Sequence, residues 1–467
     1  MAFRMMLLIP GPVQTRPETR AAMAQDIAPW DHGFRPTYAR IRERVRDIAG
    51  GIAGEHATLP LQGCGHFMME AAIRSLVPPD GKLLIPMNGS YASRMERIAR
   101  EIGRQVVKLD LPDTRGAREA DIAPVLAADP AITHVSFVYS ETGSGIVNDA
   151  AGIGRAVRNA GRRMIMDAVS GFGALPFNLA EHPECDALMF TSGKCLEGMP
   201  GIGFAVARID SIKARAGQAG SWCFDLADVL AHAERAGFGS FRFTPPVQAL
   251  AAFDVALDLF DKEGGQKARH ARYRANADTL YDGFVAMGIK PYVTKAEQGP
   301  IIVTVHQPAD PRFDFPRYVE ALKARGVLIS NFWNTEAPTM RIGAIGALTP
   351  EDMQRAIAVF REALAEARGG HVNNRTSVQH NKKGQQVARW RGCVGARGCG
   401  RRRERSKAQH PRPAATATAA AAAANAAILR AFINGRPLLI HKRKVHVHAV
   451  RGGALGTVAQ AQRRAAP

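Results

Sequence analysis

Cysteine is scarce in this chain, with six residues among 467. So few thiols in so long a chain do not make the disulfide framework of a small secreted domain, and we expect a reducing compartment and a cytoplasmic protein. Long hydrophobic runs are also lacking, since none reaches the ~20 residues that a membrane-spanning helix needs. The short apolar run near the N terminus ends at Gly11-Pro12 with no small-residue cleavage site after it. The sequence therefore predicts neither a membrane protein nor a signal peptide.

Acidic residues almost disappear in residues 369–467. This segment has twenty Lys and Arg residues against one acidic residue, Glu404, and so carries nearly all of the net charge of +20. Its composition predicts a basic, low-complexity, disordered tail. Such a tail could bind nucleic acid through its phosphates, but a GC-rich frame read past a frameshift would have the same composition, and we favour that explanation. Cys393 and Cys399 are too far apart for a typical zinc-binding pair, so we predict no metal site.

The remaining residues, 1–368, alternate short apolar segments with amphipathic ones of helical spacing. The strand-like segments are Lys82–Met87, Val106–Leu109, His134–Tyr139, Arg163–Met166, Ala187–Phe190 and Ile202–Ala207. This alternation predicts an α/β fold with a mostly parallel sheet and helices on both faces. Ligands bind beyond the carboxyl ends of such strands, so the residues that follow each strand are the candidates for a site.

The pattern changes after the sheet and predicts a division into domains. We expect a large domain at 16–260 and a smaller α+β domain at 261–368 that is joined by 1–15. The helix Lys267–Met287 leads into the smaller domain and carries Arg269 and Arg272. We predict that these two arginines lie on a solvated basic face.

Four features of residues 1–368 suit one cofactor. Asp167 ends the strand that begins at Arg163, and Lys194 follows another strand after small residues. A glycine-rich turn, Gly63-Cys64-Gly65-His66, opens a helix, and Tyr91 lies just beyond a third strand. Each signal is weak alone, because a carboxylate that ends a strand is usually a cap and a glycine-rich turn can hold any anion. Together, in this order along the chain, the four features indicate a single cofactor site much more strongly than any one of them.

Pyridoxal 5'-phosphate needs this set of groups. A lysine holds the cofactor covalently, a carboxylate keeps the pyridine nitrogen protonated, and backbone N–H groups at a helix start hold the phosphate. An aromatic side chain can stack on the ring. The residues therefore predict a pyridoxal phosphate enzyme.

Longer stretches carry a resemblance to a known family. Residues 5–368 resemble the class V aminotransferases of fold type I, and two stretches, Lys194–Gly201 and Arg242–Pro246, are similar to the branch that acts on aminophosphonates. The other matching stretches are Leu8–Pro12, Leu61–Gly65, Ser140–Gly145, Asp167–Ser170 and Arg341–Gly346. The resemblance implies transfer of the amino group of 2-aminoethylphosphonate to pyruvate, giving phosphonoacetaldehyde and L-alanine.

The resemblance also implies roles around the cofactor ring. Lys194 would bind the cofactor covalently and act as acid and base, and Asp167 would pair with the pyridinium nitrogen. Tyr91 would stack on one face of the ring and Val169 would pack on the other. Thr142 would form a hydrogen bond near the ring hydroxyl.

The phosphate and the substrate would be bound by other residues that the resemblance identifies. Cys64, Gly65 and His66 would bind the cofactor phosphate. Thr244 would reach the same phosphate from the partner subunit, which implies a homodimer with shared active sites. Arg341 would bind the anionic group of the amine donor and of the keto-acid acceptor.

Three departures from the family pattern leave the substrate open. Gly193 precedes the lysine where an Asn or Gln is usual, His66 is typical of the alanine–glyoxylate enzymes, and 329–333 replaces the usual residues near the substrate entrance. Alanine–glyoxylate or serine–glyoxylate transamination is therefore the alternative activity. Binding of nucleic acid through the tail is the non-enzymatic alternative.

Overall fold

The computed structural model describes residues 5–367, so the predictions for 369–467 lie outside the described residues. The strands are β1 (Met6–Leu7), β2 (His56–Gln62), β3 (Lys82–Met87), β4 (Gln105–Asp110), β5 (Ile132–Val138), β6 (Arg163–Asp167), β7 (Cys185–Thr191), β8 (Ile202–Arg208), β9 (Ile302–His306), β10 (Val327–Leu328) and β11 (Thr339–Gly343). The helices are α1 (Pro17–Ala21), α2 (Phe34–Ile48), α3 (Gly65–Leu76), α4 (Ser90–Glu101), α5 (Glu119–Ala128), α6 (Ala150–Asn159), α7 (Ile209–Ala214), α8 (Leu226–Ala236), α9 (Val247–Glu263), α10 (Gly265–Ala286), α11 (Phe315–Ala324) and α12 (Pro350–Ala367).

A seven-stranded sheet organises the first two thirds of the described chain. Its strand order is β2-β8-β7-β6-β5-β3-β4. The strands from β7 to β4 in this order pair in parallel, whereas β8 runs antiparallel to both of its neighbours. The prediction of an α/β fold with a mostly parallel sheet is therefore confirmed.

Helices cover both faces of this sheet, and strand β6 shows why. Met164 and Met166 point to one face, into the cluster with residues of α2, α6 and α9, while Ile165 points to the other, with residues of α3, α4 and α8. A strand that is buried on both faces needs a continuous apolar run, since side chains alternate between the faces. The helices of these two clusters bury their apolar sides on the sheet. Within residues 5–367 no helix is both long and apolar enough to cross a bilayer.

The later elements surround a separate hydrophobic cluster. β9 pairs antiparallel with β11, and β1 pairs in parallel with β10. Leu8 from the N-terminal segment is buried with Val303, Tyr318 and Phe360 of these later elements. The boundaries of two domains stay a prediction, while the packing of Leu8 agrees with the expectation that the N-terminal segment joins the later part of the chain.

Candidate active site

Four neighbouring strands of the sheet end at one cavity of about 310 Å³. Tyr91 lies just after β3, Thr142 after β5 and Lys194 after β7, and Asp167 is the last residue of β6. All four side chains line the cavity together with Val169. The structure thus brings together five residues that are far apart in sequence, because the carboxyl ends of parallel strands share one edge.

Lys194 lines both this cavity and an adjoining one. Its Nζ donates a hydrogen bond to the Pro10 carbonyl oxygen at 2.6 Å. Burial lowers the pKa of Lys194 to about 8, and the nearby Arg341 charge acts in the same direction, whereas Asp167 opposes it. Gly11 makes room for the amine, since a Cβ there would lie 2.7 Å from Nζ at a φ of +141°. The amine is therefore neutral in a useful fraction of molecules near pH 8.

Asp167 places a buried carboxylate in the same cavity as the lysine. Its Oδ1 accepts a hydrogen bond from the Val169 backbone N–H at 2.9 Å. Burial raises the pKa of Asp167 to about 6, although this bond and the Lys194 charge act in the other direction. A buried carboxylate favours a cationic partner. The cavity is thus suited to a group with a protonated nitrogen at this side.

The start of helix α3 lines the same cavity. Cys64, Gly65 and His66 all line the cavity, and the N–H groups of a first helical turn lack partners within the helix and favour an anion. Gly65 is required here, since a Cβ would lie 2.7 Å from Cγ2 of Val169. Burial lowers the pKa of His66, and its ring stacks near that of Tyr91 with centroids 6.1 Å apart. The predicted phosphate residues therefore surround a helix N terminus.

A second cavity of about 410 Å³ adjoins the first and contains Arg341 on β11. The guanidinium is buried, yet its hydrogen bonds go to uncharged oxygens: Asn334 Oδ1 at 2.9 Å, the Thr142 carbonyl at 3.3 Å and Ser330 Oγ at 3.4 Å. Its Nε has no protein partner. The buried Glu141 carboxylate acts on Arg341 only through space, and a buried charge that lacks a charged hydrogen-bond partner is costly, so this cavity is suited to an anion.

The segment that departs from the family pattern forms the wall beside Arg341. Phe332 lies with its ring centroid 5.1 Å from the guanidinium carbon, and Ser330 is one of the hydrogen-bond partners just described. Asn331 also lines this cavity. The unusual residues at 329–333 therefore contact the arginine and shape the space where a substrate anion would lie.

Glu141 is a site residue to which the sequence reasoning assigned no role. Its carboxylate is fully buried and accepts hydrogen bonds from the backbone N–H groups of Tyr91 at 3.1 Å and Gly143 at 3.0 Å. Burial raises the pKa of Glu141 to about 7, and the charge of Asp167 adds to that shift. It joins the segment that carries Tyr91 to the segment that carries Thr142. The sequence signal that could have identified Glu141 is its place in the Ser140–Gly145 stretch, which resembles the family.

Thr244 is the one predicted cofactor residue that lies away from this cavity. It is exposed and lines a different hollow with Phe67, Phe224 and Phe243. Trp222 and Phe243 nearby are exposed aromatic residues in edge-to-face contact. Within a single chain Thr244 therefore does not meet Lys194. Its proposed role depends on a second subunit.

The prediction of a solvated basic face on α10 is wrong. Arg269 is 1% exposed and Arg272 is mostly buried. Both form ion pairs with Glu263, and Arg272 also pairs with Glu197 at 2.6 Å. Removing one partner of such a buried pair typically costs about 3–5 kcal/mol, because the other charge stays buried. These arginines thus belong to the interior behind the lysine.

Comparison with known proteins agrees with this geometry. Residues 28–340 match the family described as Aminotransferase class-V. A 2-aminoethylphosphonate–pyruvate transaminase of Burkholderia lata is 42% identical over 364 residues, which cover 78% of this chain and 96% of that protein. The enzyme of the same name from Pseudomonas putida strain GB-1 is 41% identical over 77% of this chain and 97% of its own length.

Solved structures show the same fold. Pyridoxamine–pyruvate aminotransferase of Mesorhizobium loti superposes with a TM-score of 0.72 at 25% identity, over 79% of this chain and 94% of that one. Ureidoglycine–glyoxylate aminotransferase of Bacillus subtilis superposes with a TM-score of 0.71 at 23% identity, over 78% and 94%. The chain belongs to the class V aminotransferases and, within them, to the family of the 2-aminoethylphosphonate–pyruvate transaminases.

Proposed function

We propose that this protein transfers the amino group of 2-aminoethylphosphonate to pyruvate and so produces phosphonoacetaldehyde and L-alanine. The observation that carries the proposal is Arg341, a buried guanidinium with uncharged partners beside the cavity of Lys194. The names of the relatives at about 42% identity support the same substrates. The class V family implies a pyridoxal phosphate enzyme.

The residues present fit pyridoxal phosphate. A half-buried lysine and a buried carboxylate line one cavity with a helix start, and Gly65 is small enough for that turn to approach Val169. Lys194 would hold the cofactor, Asp167 would pair with its ring nitrogen, and residues 64–66 would bind its phosphate. When bound, the cofactor supplies the electron sink that allows an amino group to leave one carbon and join another.

The lysine amine would move the proton of the reaction. With a pKa of about 8, Nζ can accept a proton from the amine-bearing carbon of the donor and later return one. Met69, Met95 and Ile98 form an apolar part of the cavity wall and limit the access of water. The chain thus provides Nζ of Lys194 as the proton carrier, in a cavity from which water is partly excluded.

Arg341 would bind both substrates in turn. The donor has no carboxylate, so its phosphonate has to supply the anchoring charge, and a planar guanidinium can form paired hydrogen bonds to either anion. Lys323 and Glu320, which also line this cavity, carry one charge of each sign. The attraction for the anion therefore comes from Arg341, and one arginine can serve an aminophosphonate first and a keto acid second.

We also propose a homodimer with shared sites. Thr244 is exposed and lies next to exposed aromatic residues, as expected for a surface that a second copy covers. The hydroxyl of Thr244 would reach the cofactor phosphate of the other subunit. Sedimentation of the full chain should then show a dimer at working concentration.

Single half-reactions test the substrate. The purified holoenzyme is mixed separately with 2-aminoethylphosphonate, alanine and serine, and conversion to the pyridoxamine form is followed by absorbance. Rapid conversion by the aminophosphonate and by alanine, with pyruvate as the preferred acceptor, supports the proposal. Conversion by serine or alanine with turnover of glyoxylate, and none by the aminophosphonate, would establish the alternative activity instead.

A subunit-mixing experiment tests the shared site. Lys194→Ala chains keep Thr244, while Thr244→Asp chains keep the lysine but place a carboxylate where a phosphate would lie. If Thr244 acts across the interface, mixed dimers recover wild-type cofactor affinity in one of their two sites. If Thr244 acts within its own chain or has no role, mixing the two variants does not increase the cofactor affinity of either site. Thr244→Ser, which keeps the hydroxyl, is the control.

A further inference from the structure

A cluster of buried charges lies directly behind the lysine. We call residues 194–197 the lysine turn, which is closed by a hydrogen bond from the Glu197 N–H to the Lys194 carbonyl at 2.9 Å. Glu197 has a φ of +55° and is the one residue other than glycine with a positive φ in the part of the chain that the structure describes. An L-residue adopts this conformation only where its surroundings hold it. Its carboxylate is buried.

Two side chains of helix α10 hold this carboxylate. Arg272 donates to Glu197 Oε1 at 2.6 Å, and the Tyr273 hydroxyl donates to the same oxygen at 2.8 Å. Arg269 donates to the carbonyl of Cys195, so the backbone of the lysine turn is held as well. Glu263 accepts from both arginines. The turn is thus fixed by a network in which each charge has a partner.

The same arginine also holds the segment that follows strand β11. Nη1 of Arg272 donates to the carbonyl oxygens of Gly346 at 2.7 Å and Leu348 at 2.8 Å. The Tyr273 hydroxyl accepts from the N–H of Gly346 at 3.2 Å. Strand β11 carries Arg341. The guanidinium of Arg272 therefore contacts both the lysine turn and the segment that follows the strand of Arg341.

We propose that Arg272, acting through Glu197, is a positioning residue that sets the spacing between Lys194 and Arg341. This inference rests on the proposed function, because the spacing matters where a substrate carries an amine at one end and an anion at the other. The planar guanidinium suits the task, since one rigid fork reaches a carboxylate on one side and two carbonyl oxygens on the other. A fixed spacing selects donors by the number of carbons between amine and anion.

The test compares two aminophosphonates that differ by one methylene. The values of kcat/KM for 2-aminoethylphosphonate and 3-aminopropylphosphonate are measured for the wild-type holoenzyme and for Arg272→Lys and Glu197→Gln, which keep the size of the side chains. We expect the preference for the shorter donor to fall at least fivefold in both variants. Lys267→Met removes a positive charge from an exposed position of the same helix and should keep the preference within twofold.

A second measurement does not depend on the cofactor or on turnover. The cofactor-free full chain is treated with acetic anhydride at fixed pH, and modification of Lys194 is followed by peptide mass spectrometry. In Glu197→Gln and in Arg272→Lys the loosened turn should let Nζ leave the Pro10 carbonyl, and modification of Lys194 should become at least threefold faster. In the Lys267→Met variant, the anhydride should modify Lys194 at the wild-type rate.

The outcomes separate the two proposals. Variants that lose thermal stability but keep both the donor preference and the anhydride rate would show a purely structural network and overturn the positioning role. A wild-type protein that accepts neither aminophosphonate would overturn the proposed function, and the anhydride rates alone would then decide whether Glu197 and Arg272 position the lysine.

Discussion

The two halves of the site differ in how their charges are compensated. In the cofactor cavity, Lys194 and Asp167 have opposite charges and each lowers the cost of burying the other. In the adjoining cavity, Arg341 is buried among uncharged hydrogen-bond partners. Because a buried charge is stable only with a counter-ion or good hydrogen bonds, the first half is nearly complete by itself. In the second half, no hydrogen-bond partner of Arg341 is charged, so this half gains a charged partner when an anion binds.

The largest effect should come from the cofactor side. Lys194→Ala removes the amine that holds the cofactor and moves the proton. We expect loss of the visible absorbance of the bound cofactor and of all measurable turnover. Lys267→Met, which changes an exposed lysine on helix α10, should keep both. A coloured and active Lys194→Ala protein would contradict the assignment of this lysine.

Asp167→Asn should come next, because it removes the charge that favours a protonated ring nitrogen but keeps the size of the side chain. We expect kcat to fall about a hundredfold or more, the order of magnitude typical of losing one electrostatic contact to a reacting group. Cofactor content, read from absorbance after gel filtration, controls for simple loss of binding. Normal kcat in a fully loaded variant would remove Asp167 from the chemistry.

Arg341→Met should affect the substrates rather than the cofactor. We expect KM for 2-aminoethylphosphonate and for pyruvate to rise about a hundredfold, since an anion loses its charged partner. Arg341→Lys should recover part of this, as it keeps the charge without the planar fork. The amount of cofactor bound by the resting enzyme should not change. A KM increase for one substrate alone would mean that the two anions bind at different places.

Glu141→Gln should have the smallest effect and a defined pH dependence. Burial raises the pKa of Glu141 to about 7 from an ordinary value of 4.5, so between these pH values the folded state keeps a proton that the unfolded state has lost. Ionisable Glu141 therefore makes the wild type less stable as pH rises through this range. Denaturant unfolding of the cofactor-free protein should show Glu141→Gln gaining stability relative to the wild type from pH 4.5 to 7. If the difference in the free energy of unfolding between the variant and the wild type stays constant over this pH range, the pKa of Glu141 is not raised by folding.

Part of this site was predictable from local sequence. Strands buried on both faces are continuous apolar runs, so β3, β6 and β7 were evident, and with them the positions of Tyr91, Asp167 and Lys194 just after or at their ends. Strands β2 and β11 were not evident from the sequence, because Pro60 interrupts the apolar run of β2 and Arg341 interrupts that of β11. A five-residue strand with a buried arginine has no apolar period to detect.

Sequence by itself determined most of the alternation of strands and helices and the residue types at the carboxyl edge, because both follow from local patterns of hydrophobicity and small residues. Tertiary structure alone decided which charges are buried and with what partners. Arg272 has the sequence surroundings of a solvated arginine, yet it pairs with Glu197, 75 positions away. Glu141 likewise gains its role from the N–H of Tyr91, 50 positions before it. Burial and pairing depend on contacts between distant segments, and a local sequence pattern does not contain them.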